Sequence, residues 1–143
     1  MSLFNIFDVA GTALNAQSIR LNTTASNLAN AESVSGDPTK VYRARHPVFQ
    51  TMLAADDGFG IPDDSSAAVG VRVMGVVESQ APAQMQYNPG HPLANKDGYI
   101  FNSNVNSIEE MTNMISASRS FQTNIDAMNT ARDLLLKTIA LGR

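Results

Sequence analysis

The chain has 143 residues, a formal net charge of -3 and no cysteine. The length supports one domain with a moderate core. The missing cysteine excludes thiolate chemistry, disulfides and cysteine-based metal sites, and the acidic balance offers no basic field to hold a phosphate backbone, so no nucleic-acid partner is expected.

All six prolines lie between Pro38 and Pro92, which leaves residues 1–33 and 107–141 free of proline. Proline in a helix interior costs about 3 kcal/mol, so both ends are predicted to be long helices. The chain opens Met-Ser-Leu-Phe-Asn-Ile-Phe-Asp, without the basic flank and apolar run of a secretory signal, so no cleaved signal peptide is expected. No stretch approaches the roughly 20 apolar residues of a membrane span, so no membrane insertion is expected.

The N-terminal segment repeats every seven residues. Phe7, Leu14, Leu21 and Leu28 form one row, with Phe4, Gly11, Ser18 and Ala25 as the adjoining row. Large residues in one register and small ones in the next describe a coiled-coil seam in which two backbones approach closely. Between Met1 and Ala31 only Asp8 and Arg20 are charged, and the face away from the seam carries Asn15, Gln17, Asn22, Thr23, Ser26 and Asn27. A solvated helix face normally displays Lys and Glu. Short uncharged polar groups fit a packed, hydrogen-bonded interface without the desolvation cost of ions.

The middle reads as β-structure and loops. Val41 to Gln50 and Val69 to Glu78 are rich in β-branched and aromatic residues, and Val69, Val71 and Val73 alternate at period two. Asn95-Lys96-Asp97-Gly98 is a turn signal ahead of a strand at Tyr99-Ile100-Phe101. Between the two longer strands lies an acidic loop, 54–68, with Asp56, Asp57, Asp63 and Asp64.

The C-terminal segment repeats the heptad. Met114, Phe121, Met128 and Leu135 form one row, and Ala117, Asn124, Ala131 and Thr138 stand beside it. A further row, Met111, Ser118, Ile125, Arg132 and Ile139, widens the stripe. Ser107 followed by Glu110 predicts a capping box at the helix start, with Glu109 and Glu110 suited to the positive dipole end. Lys137 and Arg143 suit the other end, and Gly142 is the predicted stop. The predicted fold is therefore α+β: long N- and C-terminal helices, 1–33 and 107–143, forming a coiled-coil-like pair around a small β-rich insert, 34–106. One such pair buries too little apolar surface to offset the entropy of ordering both helices, which predicts partners.

Catalysis has no foothold in this pattern. His46 and His91 each precede a proline and have no second ligand at metal spacing. The Asp56–Asp64 cluster lacks the spacing of a calcium loop and reads as a solvated acidic segment. No serine sits in Gly-x-Ser-x-Gly, and there is no Gly-rich phosphate loop. Met111, Met114 and Met128 read as adaptable core filling rather than ligands. No enzyme activity, cofactor or metal is expected.

The stretch Arg20-Leu21-Asn22-Thr23-Thr24-Ala25-Ser26-Asn27-Leu28-Ala29-Asn30-Ala31 closely resembles the N-terminal signature of the bacterial flagellar axial family, the rod and hook proteins. Tyr87 to Ala94, Asp97-Gly98-Tyr99, Asn104-Val105, and Met114 to Leu141 with its Ser116-Ala117-Ser118-Arg119-Ser120-Phe121-Gln122-Thr123-Asn124-Ile125 core agree with it. The likeness runs from Leu3 to Gly142, and the short middle is similar to that of the proximal-rod members. The acidic loop is the part with least likeness. The resemblance implies a structural subunit of the basal-body rod that polymerises with itself into a helical tube across the periplasm and transmits torque. It also implies export by the flagellar type III apparatus, contacts with other proximal and distal rod proteins and with basal-body rings, and terminal helices that order on assembly. On that basis Phe7, Leu14, Leu21 and Leu28 are expected to pack against Met114, Phe121, Met128 and Leu135 within or between subunits. Asn27 and Asn30 are expected to hydrogen-bond between subunits, and the insert to lie at larger radius. The rival readings are a different rod protein, a helical-hairpin export chaperone, and an enzyme using a metal on the acidic loop.

Overall fold

A computed structural model of the chain describes residues 3–53 and 68–141. Two helices dominate, α1 (Leu3–Ala29) and α2 (Ser107–Leu141). They pack antiparallel: Arg20 Nη2 donates to Asn113 Oδ1 at 3.3 Å, while Gln17, one turn back along α1, shares a recess with Arg119, Ser120, Thr123 and Asn124 farther along α2. Counting outward from Arg20 and Asn113, α2 runs about 16 Å past the first turn of α1 at 1.5 Å per residue.

Five strands separate the helices. β1 (Val34–Ser35), β5 (Tyr99–Asn102) and β4 (Gln84–Tyr87) form an antiparallel sheet in the order β1-β5-β4. β2 (Arg45–Leu53) and β3 (Ala68–Glu78) form a separate antiparallel hairpin with register shifts at Val48/Phe49 and Met52/Leu53. The turn before β5 follows its sequence signal. Asn95 Oδ1 accepts from the amides of Asp97 (3.0 Å) and Tyr99 (2.9 Å), and Gly98 adopts φ +80, where side chains are disfavoured. The two longer strands also fall where β-branched residues cluster, although the first begins at Arg45 rather than Val41, because residues 41–44 lead into the hairpin with Val41 and Ala44 buried. Nothing in the sequence marked β1 or β4, which are only two and four residues long.

The hairpin lies along α1. At one end Thr12 Oγ1 accepts from the Val71 amide at 3.2 Å and donates to the Val9 carbonyl at 2.9 Å. At the other, Asn27 grips Arg45. The uncharged face of α1 is thus partly covered by the chain's own hairpin: Thr23 and Ser26 are half-buried and Asn27 is buried, while Asn15 and Asn22 stay exposed. This second partner rotates the buried arc of α1. The small row expected at Gly11, Ser18 and Ala25 is not the buried one. Gly11 and Ala25 are exposed, and the buried positions are Ala10, Ala16, Thr24 and Asn27. A straight helix also drifts about 20° per heptad from a strict seven-residue repeat, which displaces the row further.

The start of α2 differs by one residue from its predicted capping box. Asn106, not Ser107, is the cap: its Oδ1 accepts from the amides of Ile108 (3.1 Å) and Glu109 (3.4 Å), and its carbonyl accepts from Glu110 N at 3.0 Å. Asparagine caps at least as well as serine, and its use places Ser107 inside the first turn. Gly142 and Arg143, the predicted stop signals, lie outside the described residues, as does most of the acidic loop, 54–67.

The core is thin. Buried apolar side chains among the described residues are Ala10, Ala16, Val41, Ala44, Ile100, Val105, Ala117 and Ala131, five of them alanine. The side chain with most volume among the fully buried ones is Asn27, a polar residue.

Candidate assembly interface

The helical seam follows from this packing. In α2 the buried residues are Glu110, Ala117 and Ala131, spaced so that small side chains let α1 approach closely. The large residues flanking them behave differently. Phe7, Leu14, Leu21 and Leu28 on α1, and Met114, Phe121, Met128 and Leu135 on α2, are all half-buried. Each is partly covered within the chain and partly open.

Beyond the seam, α2 presents apolar side chains that stay largely open to solvent. Ile108, Met111 and Ile115 stand exposed near its start, and Leu134, Leu136, Ile139 and Leu141 near its end. Leu141 is 88% exposed. The terminal group falls in the part of α2 that overhangs α1. The row Met111, Ser118, Ile125, Arg132 and Ile139 is half-buried only at Ile125 and otherwise exposed. An apolar stripe of this extent on a soluble surface marks an interaction site.

The two asparagines have defined positions. Asn27 is 1% exposed. Its Nδ2 donates to the Arg45 carbonyl at 2.8 Å, and its Oδ1 accepts from the Arg45 amide and from the Tyr42 hydroxyl, each at 2.9 Å. Ser26 Oγ lies 3.3 Å from the same hydroxyl. Asn30, half-buried, donates through Nδ2 to the Ser26 carbonyl at 2.8 Å and closes the end of α1. Tyr42 and Arg45 escape sequence reasoning, because nothing local in a Val-Tyr-Arg-Ala-Arg stretch reports that a helix asparagine 15 residues away will meet it. Gln17 is a second polar group in the seam, with its Oε1 buried and unbonded.

The possible chemical groups are dispersed. His46 lies in β2 opposite Val77, and His91 Nδ1 accepts from the Leu93 amide at 3.1 Å within a turn. Among the described residues no three His, Asp or Glu side chains are grouped to hold a metal. No described helix is long and apolar enough to cross a membrane. The Thr39 hydroxyl and amide, bonded to Asp37 Oδ1 at 2.7 and 2.9 Å, hold the Asp37 carboxyl below its ordinary range.

Comparison with known proteins identifies the family. Residues 7–36 match the family described as flagella basal body rod protein, and residues 96–141 match the C-terminal family of the flagellar basal body rod FlgEFG proteins. The two matches cover α1 from residue 7 with the turn and β1 after it, and α2 with β5 ahead of it. The flagellar basal-body rod protein FlgC of Salmonella typhimurium is 50% identical over 143 residues, all of both chains. FlgC from Escherichia coli is 49% identical over the same span, and FlgC from Buchnera aphidicola subsp. Schizaphis graminum is 40% identical over 144 residues, covering 99% of each. With half its residues shared end to end, and with two helices whose large seam side chains remain half uncovered, the chain belongs to the FlgC family of flagellar basal-body rod proteins and is a structural subunit of the rod.

Proposed function

We propose that the subunit builds the proximal rod by completing its helical seams against neighbouring copies, giving a helical tube that crosses the periplasm and carries torque from motor to hook. One observation supports this above all: every large seam residue of α1 and α2 is half-buried in the single chain, over a core made mainly of alanine. A second copy covering the open sides of Phe7, Leu14, Leu21, Leu28, Met114, Phe121, Met128 and Leu135 supplies the burial that one chain lacks. Contacts of this kind, repeated head to tail without closing, generate a filament. Interdigitated side chains resist twist because packed interiors are scarcely compressible.

In this reading residues 1–33 and 107–143 are the axial segments, and 34–106 is an insert at larger radius facing neighbours and rings. Asn27 holds that insert to the axial helix, and Asn30 closes the axial helix where neighbours meet. Further partners are other proximal and distal rod proteins, basal-body ring components and the flagellar type III export apparatus. A cysteine-free chain with a thin core suits passage in an unfolded state, with ordering coupled to assembly.

The test is Leu21→Asp, which places a charge in the seam. The subunit should be produced at normal levels while rods fail to form and cells lose motility. Motile cells carrying Leu21→Asp would refute the seam.

A further inference from the structure

The strongest basic cluster of the chain is Lys40, Arg43 and Arg45, three of its ten cations within six residues. All three line a recess of about 600 Å³ beside the end of α1. The carboxylate on that lining is Glu78, which Arg45 already holds at 3.0 Å. Asp37 reaches Lys40 only at 4.0 Å, between exposed side chains. Arg43 has no ionic partner among the described residues. Ser33 Oγ, on the same lining, is buried with no hydrogen-bond partner among them. The recess therefore keeps an excess of positive charge and an unused hydroxyl donor.

An acidic counterpart lies on α2. Asp126 and Asp133 are exposed and seven residues apart, so one helix face carries both carboxylates about 10 Å from each other. At 3.6 residues per turn they point about 180° and about 160° away from Ala117, the fully buried residue of the seam. Neither has an ionic partner among the described residues. Asp126 accepts a long bond, 3.5 Å, from Gln122 Nε2. Arg119 before them and Lys137 after them close the acidic stretch at both ends. Recess and acidic face cannot meet within one chain. The helices are antiparallel with Arg20 opposite Asn113. Asn30, on the recess lining, lies ten residues to one side of that level, and Asp126 thirteen to the other. At 1.5 Å per residue the separation along the axis is about 35 Å for Asp126 and about 45 Å for Asp133, more than any lysine or arginine side chain spans.

We propose that the recess lined by Lys40, Arg43 and Arg45 receives the Asp126 and Asp133 carboxylates of a second copy of this chain, whose α2 lies across its mouth. Charge complementarity carries the assignment: cations left over on one surface meet carboxylates left over on another, and each lacks its counter-charge at home. The two surfaces are different and sit toward opposite ends of the helix pair, so the contact is heterologous, the kind that repeats along a filament. A slide of one turn would bring Lys137 to the place of Asp133 and set it against the basic recess. The charges therefore fix register while the helical seams provide burial. The contact rests on the assembly reading above and adds to it a specific pairing outside the seams.

The chain's lack of cysteine makes the test direct. Thr39→Cys, on the recess lining, and Thr130→Cys, exposed between the two aspartates, preserve every charge. In assembled rods carrying both, a short bifunctional maleimide should link copies into a ladder of dimers, trimers and longer species, and either substitution alone should give none. Rods that form and propel cells but give no ladder, or the same ladder with one cysteine, would overturn this contact and leave the seams intact. If the double-cysteine subunit does not assemble, exchange of charge decides the matter. Lys40→Glu with Arg43→Glu, and separately Asp126→Lys with Asp133→Lys, should each lower the yield of rods in isolated basal bodies about ten-fold or more, because like charges then face each other. All four together should restore the yield to within about three-fold of the wild type. Full yield from either pair alone, or no recovery in the combination, would refute the contact.

Discussion

The side chain of Asn27 does for Arg45 what a neighbouring strand would do. Its amide donates to the Arg45 carbonyl and accepts from the Arg45 amide, at 2.8 and 2.9 Å, and so satisfies both backbone groups of the residue that opens the hairpin. The Tyr42 hydroxyl adds a third bond to the same oxygen. One residue of the axial helix thereby fixes where the hairpin begins, and hence where the insert sits relative to the seam.

Replacing that side chain should be costly out of proportion to its size. Asn27→Leu removes the side-chain partner of the Arg45 amide and carbonyl and one of the two partners of the Tyr42 hydroxyl, each group left unsatisfied costing about 1–3 kcal/mol. A large fall in the urea midpoint of the isolated protein is expected. Tyr42→Phe removes only the hydroxyl's bonds to Asn27 and Ser26 and should cost about 0.5–1.5 kcal/mol. Equal effects of the two would contradict the clamp.

The other end of the hairpin depends on a close approach. A Cβ on Gly70 would lie 2.6 Å from Thr12 Oγ1 and 3.3 Å from Thr12 Cβ. Gly70→Ala should therefore lift β3 from α1, at a cost of about 1–3 kcal/mol. Adding Thr12→Ala should recover part of that loss. A double-mutant cycle by denaturation measures the coupling, and additive effects would mean that the two residues are not in contact.

Stability and assembly should separate by position. Ala117 is fully buried in the intrachain seam, so Ala117→Leu should overpack it and destabilise the isolated subunit by about 1–3 kcal/mol. Leu136 and Ile139 are exposed on the overhang, and changing both to serine should alter subunit stability by no more than about 0.5 kcal/mol each. The same double change should nonetheless abolish rod formation. Comparing melts with electron microscopy of isolated basal bodies gives both readouts.

Asp37 supplies a pH-dependent element. The Thr39 hydroxyl and amide favour its ionised form, so its carboxyl titrates lower in the folded chain than in the unfolded one. The stabilisation is present above the unfolded value and is lost as pH falls through the folded one. Thr39→Val should move the Asp37 titration, followed by carboxyl NMR, back toward the ordinary range. An unchanged titration would show that the hydroxyl bond has no effect.

The sequence made the helices legible because proline exclusion and a seven-residue row persist over many turns. The rows Phe7 to Leu28 and Met114 to Leu135 fall within the two helices and are half-buried, and Asn95 to Gly98 marks its turn. The buried small row of α1 was not legible, because Ala10, Ala16 and Thr24 depend on where the hairpin lies and no local signal encodes that. The Asn106 cap was missed for a smaller reason: Asn and Ser both cap well, and a one-residue shift leaves the acidic first turn in place. Half-burial of the large seam residues belongs to the tertiary packing, and no one-dimensional pattern distinguishes it from full burial.

The central claim is that these two helices complete their order only between copies. Amide hydrogen exchange of the isolated subunit and of assembled rods tests it most directly. Residues 7–28 and 114–141 should be only partly protected in the isolated chain and become strongly protected in the rod. An isolated subunit protected along both helices to the level of the rod would contradict the account.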